Sequence, residues 1–335
     1  MNILEKAQVN CKNIIEKNLN IDKNQNVILI YDDKCDLSKL LFKSYSNVLK
    51  EYNLKSIKFD ETKQDELKEF LYNLNKGDYV ILIQSGSFRL SNYRIRLDLN
   101  NRGIFVIEHA RLSFFNNIES YINSLTYDFD RYKKISNYIT NEIKNTNQIK
   151  IISNDGSELI YEGGFEDAKS NIGDFSNKLG SLFPIGEVFS EPKKLESVNG
   201  TISIIGIPSL EHKTIFVSPF KVNIKNGTII GQDGNKDFEK IINLIKSENE
   251  DGIVWIREMG FGMNKNISKE NPLEDISAHE RYCGYHISLG LKHNIYRKKI
   301  DKKVNQKFHI DIFCDLKEIW FDDKIIFKKK DYVIF

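Results

Sequence analysis

Residues 78–86 read DYVILIQSG, an unbroken apolar run entered from a charged residue and left through polar residues and a glycine. A strand with one wet face alternates polar and apolar residues. A continuous run of this length fits a strand covered on both faces, the pattern of parallel sheets. Two further stretches, VILIYDD (27–33) and IFVIEH (104–109), have the same form, and KSIKFDE (55–61) reads as another strand. Helical patterns lie between them. An amphipathic opening segment comes first, then DLSKLLFKSYSNVLKEYN (36–53) with Asp36 as N-cap, ETKQDELKEFLYNLNKG (61–77) closed by Gly77, and SNYRIRLDLNNRG (91–103). Strands alternating with helices predict a flavodoxin-like or Rossmann-like open α/β domain with a parallel sheet.

After the helical stretch DFDRYKKISNYITNEIKNTN (128–147) the pattern changes. Alternating strands with Gly, Asn and Asp turns take over, as in QIKIISNDGSELIYEGG (148–164), NGTISIIG (199–206), FKVNIKNGTIIG (220–231), GIVWIREMGFGMN (252–264) and KEIWFDDKIIFKK (317–329). These hairpin signals predict a β-rich α+β domain, mostly antiparallel. The expected organisation is an α/β domain over residues 1–145 and a β-rich domain over 146–335, with an active cleft between them.

Composition narrows the class. In 335 residues, 40% are hydrophobic and 29% charged, ordinary values for a globular protein. Lys+Arg at 49 nearly balance Asp+Glu at 47, so no basic footprint for nucleic acid or an anionic membrane surface is expected. No run of about 18 apolar residues exists to span a bilayer. The opening MNILEKAQVNCKNIIEK lacks the apolar core of a secretory signal, and the cytoplasm is the expected location. Cys11, Cys35, Cys283 and Cys314 are too scattered for a zinc motif and read as reduced thiols. No glycine-rich phosphate loop follows any of the strands. The strand ends IQSGSFR (83–89) and Glu108-His109 sit where open sheets bind ligands, which makes Arg89 and His109 candidates for substrate binding. His109 is equally read as a hydrogen-bonded loop histidine.

The chemistry-bearing residues lie in the β-rich part. FHIDIF (308–313) alternates, so His309 and Asp311 share one face, roughly 7 Å apart, while Phe308, Ile310 and Ile312 take the other. Three other segments place polar residues among apolar ones. They are Glu187 in FPIGEVFSEPKKLESVNGTI (183–202), Glu258 in IVWIREMGFGMN (253–264) and His286 in YCGYHISLGLKH (282–293). A carboxylate among apolar neighbours is costly to bury unless it is paired or bound to a cation. Two glutamates, two histidines and an aspartate together suit one or two divalent metals.

The order and wording of these segments resemble the thermophilic metallo-aminopeptidase family, the leucyl aminopeptidase group that includes aminopeptidases T and S. The likeness rests on Gly186–Pro192 as a G-E-[VI]-F-[TS]-x-P segment, on Asn199-Gly-Thr201, on Glu258 in its strand, on His286–Gly290 as H-I-[AS]-L-G, and on the H-x-D of His309 and Asp311. Weaker likeness extends through 154–164 and 83–96. The resemblance implies Glu187, Glu258, His286, His309 and Asp311 as ligands of a dinuclear centre of zinc, cobalt or manganese. It also implies Glu187 as candidate general base, a small peptide substrate and a homodimer. Where the family's peptidases carry a ligating tyrosine, seven residues beyond the first histidine, this sequence has His293, an imidazole that can still bind metal. A related branch, the dihydroxypyridine-type ring-cleaving dioxygenases, is similar across the same segments. By that likeness His286, His309 and Asp311 would hold one ferrous iron. A catalytically silent relative that binds a small ligand is the third alternative.

Overall fold

A computed structural model describes residues 1–91, 94–176, 178–249, 251–293, 295–296 and 306–334. The chain forms two compact units, one of Met1–Phe129 with Gly173–Ile185 and the other of Asp130–Ile172 with Gly186–Phe335. This division differs from the single boundary expected near residue 145. From Asp130 onward the long helix Phe129–Asn145 belongs to the second unit, and the chain later returns to the first.

The first unit is built on a parallel sheet of five strands in the order Asn53–Lys58, Asn26–Tyr31, Tyr79–Ile83, Phe105–His109, Gly180–Phe183. Every residue of Tyr79–Ile83 is buried, as its unbroken apolar run requires. Ile28, Ile30, Val80, Leu82 and Val106 point into one core layer with Leu67, Leu71, Ile95 and Leu99. Val27, Leu29, Ile81, Ile83 and Ile107 are buried on the opposite face. The fifth strand, GSLF, carries no periodic signal and was not expected.

Two helix ends differ from expectation. The helix Asp36–Val48 is capped by Cys35, which accepts the Ser38 amide, and Asp36 instead sits in the first turn where its charge suits the helix dipole. The helix Gln64–Tyr72 ends before Gly77, which at φ +92° serves the turn into Tyr79–Ile83. Of the helix expected over 91–103, residues 92 and 93 lie outside the described residues and Ile95–Asn101 is helical.

The second unit contains a thirteen-stranded sheet, antiparallel at every described pairing. One stretch of it runs Asn199–Pro208, His309–Cys314, Gly284–Gly290, Ile256–Gly262, Glu187–Ser190, Lys169–Asn171. An unexpected helix, Lys236–Ser247, is capped by Asn235 and buries Phe238, Ile241, Ile242 and Ile245 on one face. The four cysteines are free thiols. Among the described residues, no helix is long and apolar enough to cross a membrane.

Candidate metal centre

Four adjacent strands of the second unit carry the candidate ligands. Opposite residues of antiparallel neighbours share a face, so register decides what converges. Asp311 stands opposite Ser288, and His309 opposite Gly290. His286 is therefore on their face, and it stands in turn opposite Gly260. Gly262 stands opposite Glu187. Glu258 lies where the ladder to Gly284–Gly290 slips between Ile256 and Met259, and its amide donates to Ser288 Oγ at 2.9 Å instead of continuing the pairing. A bulge of this kind re-aims a side chain. The reverse face carries Val188, Met259, Phe261, Tyr285, Ile287, Leu289 and Ile312, all fully buried, which holds the polar face in place.

The side chains meet as three overlapping groups: Glu187, Glu258 and His286; Glu258, His309 and Asp311; and Glu280, His286 and Asp311. In each group the ligand atoms lie within 4.8 Å of one another. His286 Nε2 is 3.2 Å from Glu187 Oε1 and 3.6 Å from Glu258 Oε1, while His309 Nε2 is 3.3 Å from Asp311 Oδ1. The Arg281 guanidinium stands 3.6 Å from Glu187 and also pairs with Glu280. His309 Nδ1 faces the Leu291 carbonyl at 3.2 Å, which leaves Nε2 as the nitrogen turned to the cluster.

These contacts set the charge states. Burial opposes a charge on His286, but Glu187 and Glu258 outweigh it and hold the imidazole up at about 9. Burial likewise opposes a charge on His309, and the neighbouring Asp311 overrides it, raising the group to about 10. Glu187 would be raised by its burial, yet Arg281 and His286 bring it below the usual carboxylate range. Asp311 follows the same pattern with His309 as its main partner.

The residues fit a divalent cation. Although the contacts are close, they are misaligned for hydrogen bonding. Glu187 Oε1, Glu258 Oε2, both nitrogens of His286 and Asp311 Oδ1 are buried without hydrogen-bond partners. Polar atoms in this state are costly, and a gathering of them on carboxylates and an imidazole could hold a metal ion. The strand opposite His286 is also shaped for it. A Cβ on Gly260 would fall 2.0 Å from the imidazole ring, so only glycine leaves the ring its place. Mixed carboxylate and imidazole donors suit zinc, cobalt, manganese or ferrous iron.

Of the residues expected at the site, Glu187, Glu258, His286, His309 and Asp311 come together. His293 stands at the flank, with its ring centre 6.0 Å from that of His309 and in none of the ligand groups among the described residues. Its Nδ1 accepts the Ile295 amide, and burial lowers its affinity for a proton. His109 differs from the role considered for it. It is fully buried in the first unit, with Tyr45 Oη 2.8 Å from Nε2 and Tyr121 Oη 2.8 Å from Nδ1, so both nitrogens are already used. Burial pushes its pKa down to about 3. Arg89 is exposed on the first unit. Nearby, Asp32 Oδ2 binds both the amide and the hydroxyl of Ser85, so the polar ends of two parallel strands satisfy each other.

Arg281, Glu280 and Glu191 were not foreseen. Glu191 is fully buried, and its Oε1 accepts the His293 amide at 2.7 Å. Burial raises its pKa to about 7. One signal was available, a second acid only four residues beyond Glu187 in an apolar segment.

No family model and no curated protein matches the chain. Two of the solved structures that share its fold illustrate the likeness. The structure of 2,5-dihydroxypyridine dioxygenase from Pseudomonas putida KT2440 matches with a TM-score of 0.67 at 14% identity, over 98% of this chain and 97% of that one. Wild-type AmpT from Thermus thermophilus matches with a TM-score of 0.62 at 12% identity, over 98% and 99%.

Proposed function

We propose that the chain is a metal-dependent hydrolase that removes amino-terminal residues from small peptides. One observation carries this reading: Glu258 is shared between the group with Glu187 and His286 and the group with His309 and Asp311. A carboxylate common to two donor sets suits a pair of cations. A single iron held by two histidines and an aspartate leaves Glu187 and Glu258 over. AmpT, the T type of the aminopeptidase group that the sequence resembles, shares the fold over almost its whole length.

Glu187, Glu258, His286, His309 and Asp311 would hold the ions. When bound, divalent cations polarise a scissile carbonyl and make water acidic enough to yield a nucleophile near neutral pH. The chain's own residues supply the rest. Glu187 stays ionised beside Arg281 and is the candidate general base to the extent that it is not committed as a ligand, with its unpartnered Oε1 as the oxygen that would take a proton from water and return it to the departing amine. His309, oriented by the Leu291 carbonyl, holds its Nε2 toward the cluster. The fully buried apolar reverse face keeps the ligands preorganised.

The second reading is a ring-cleaving dioxygenase, for which the resemblance implies His286, His309 and Asp311 as iron ligands and which the fold shared with the Pseudomonas enzyme favours; among the described residues no ligand group holds both histidines. Metal analysis of protein purified without added metal separates the two. About two zinc, cobalt or manganese ions per chain, with release of p-nitroaniline from leucyl p-nitroanilide, supports the hydrolase. One iron with oxygen uptake on 2,5-dihydroxypyridine overturns it in favour of the oxygenase. Absence of metal leaves the silent ligand-binding relative.

A further inference from the structure

Glu280 lies within ligand distance of His286 and Asp311, yet the centre built on Glu187, Glu258, His286, His309 and Asp311 leaves it out. What sets it apart from the other acids is its neighbour, Arg281. Gly262 stands opposite Glu187, and a Cβ there would fall 2.0 Å from the Tyr282 carbonyl oxygen and 2.9 Å from that of Glu280. Glycine at 262 thus lets the segment 280–282 lie against the ligand-bearing strands. The Asn264 amide donates to the Arg281 carbonyl at 2.9 Å and fixes the segment there. The Arg281 side chain is thereby buried beside the cluster. Its Nη1 donates to the Ser277 carbonyl and pairs with Glu280, while its Nη2 stands 3.6 Å from Glu187 Oε2. The second contact is beyond hydrogen-bond range and leaves Glu187 its oxygens, whereas the first engages Glu280 directly. A buried guanidinium is costly without a carboxylate of its own, and Glu280 supplies it.

We propose that Arg281 is a positioning residue that withholds Glu280 from the metal centre and so raises the preference of the centre for zinc over manganese. The proposal rests on the reading of this cluster as a metal centre, whichever reaction takes place there. Imidazole donors and a low coordination number suit zinc, whereas each further carboxylate oxygen suits the harder ions that take six donors. Freed from Arg281, Glu280 would turn to His286 and Asp311, whose ligand atoms are already within 4.8 Å of its own. A residue that merely buttressed the fold would strengthen the binding of every ion alike. One that withholds an oxygen donor sets their ranking.

The test uses the metal-free full chain and Arg281→Met, which keeps a long side chain and removes its charge. Zinc affinity is read by competition with a chromophoric chelator, and manganese affinity from the paramagnetic resonance of the free ion. The ratio of zinc to manganese affinity should fall by about tenfold or more in the variant, the lower end of what residues that orient metal ligands contribute. The lost charge strengthens both divalent ions equally and cancels in the ratio. Adding Glu280→Gln to Arg281→Met should restore the wild-type ratio, because no carboxylate is then set free. An unchanged ratio in Arg281→Met overturns the proposal, as does a low ratio that persists when Glu280→Gln is added. Should Arg281→Met not fold, Glu280→Gln alone decides. An unchanged ratio then supports the proposal, and a changed one, which would mean that Glu280 already acts on the ions, overturns it. A wild type that binds neither ion removes the metal centre and the proposal with it, whereas binding with unmoved ratios removes the part of Arg281 alone.

Discussion

Gly260 and His286 face each other across two strands, and the space that one lacks is the space that the other's ring fills. Any side chain at 260 must collide with the imidazole, since a Cβ there would lie 2.0 Å from both Cε1 and Nε2. Gly260→Ala should therefore fold yet bind metal poorly, because His286 is turned out of the cluster. Gly231→Ala, where the nearest atom to a new Cβ is 3.9 Å away, is the control and should bind normally. Equal metal content in both variants would contradict this account of His286.

His309→Ala and Asp311→Ala should each remove bound metal while the protein stays folded, since the pair sits on one face of a strand whose other face holds the core. The loss of affinity should be at least the about 10–100-fold that follows from disturbing outer-shell partners of metal ligands. Full metal content in either variant, measured by elemental analysis, would show that the cluster lies elsewhere.

Metal binding should release protons. His286 and His309 are held up at about 9 and about 10 by their carboxylate neighbours, so both are protonated at neutral pH in the metal-free protein. Coordination needs them neutral. Affinity for zinc should thus rise as pH increases from 6 to 8, by about tenfold per unit for each proton released. Calorimetry in buffers of different ionisation enthalpy counts the protons. A pH-independent affinity would mean that neither imidazole is a ligand.

His109 makes the opposite kind of statement, about stability. Its pKa is depressed to about 3 in the folded chain against the ordinary 6.5, so the unfolded chain binds the proton first. Stability from this residue is complete above about 6.5 and falls as pH drops toward 3, by about 1.4 kcal/mol per unit at most. The difference in urea midpoints between wild type and His109→Gln should shrink as pH falls from 6.5 to 4.5. Parallel pH profiles would refute the burial argument.

His293→Tyr tests the reaction class. If the protein is a peptidase with an adapted rim, the phenol should preserve or raise hydrolysis of leucyl p-nitroanilide. Activity absent from both forms with zinc, cobalt and manganese would move the assignment toward oxygen chemistry or silent binding.

Much of this was legible because strand period and burial write themselves into residue order. The run at 79–83 could only be a doubly covered strand, and the alternation at 308–313 put His309 beside Asp311 before any register was known. Glu258 was visible as a misplaced charge, but not its bulge, which depends on how the strand Gly284–Gly290 pairs beside it. Arg281 and Glu280 follow a short helix, Ile276–His279, and only long-range pairing brings them to Glu187 and Asp311. The strand Gly180–Phe183 is too short to have a period. The helix Lys236–Ser247 did carry one, in Phe238, Ile241, Ile242 and Ile245 behind an asparagine cap, and the hairpin signals on either side obscured it.

The returning strand Gly180–Phe183 imposes an order of events during synthesis. When the first 129 residues have left the ribosome, four strands of the parallel sheet can assemble, but the outer side of Phe105–His109 has no neighbour. The Val106 amide waits for the carbonyl of Leu179, and the Tyr121 hydroxyl waits for that of Phe183. Until residue 185 emerges, the nascent chain carries a bare sheet edge next to an apolar interior, the state in which growing polypeptides stick to one another. Fragments ending at 129 or 145 would carry that edge permanently, so the first unit is best produced with residues 173–185 attached.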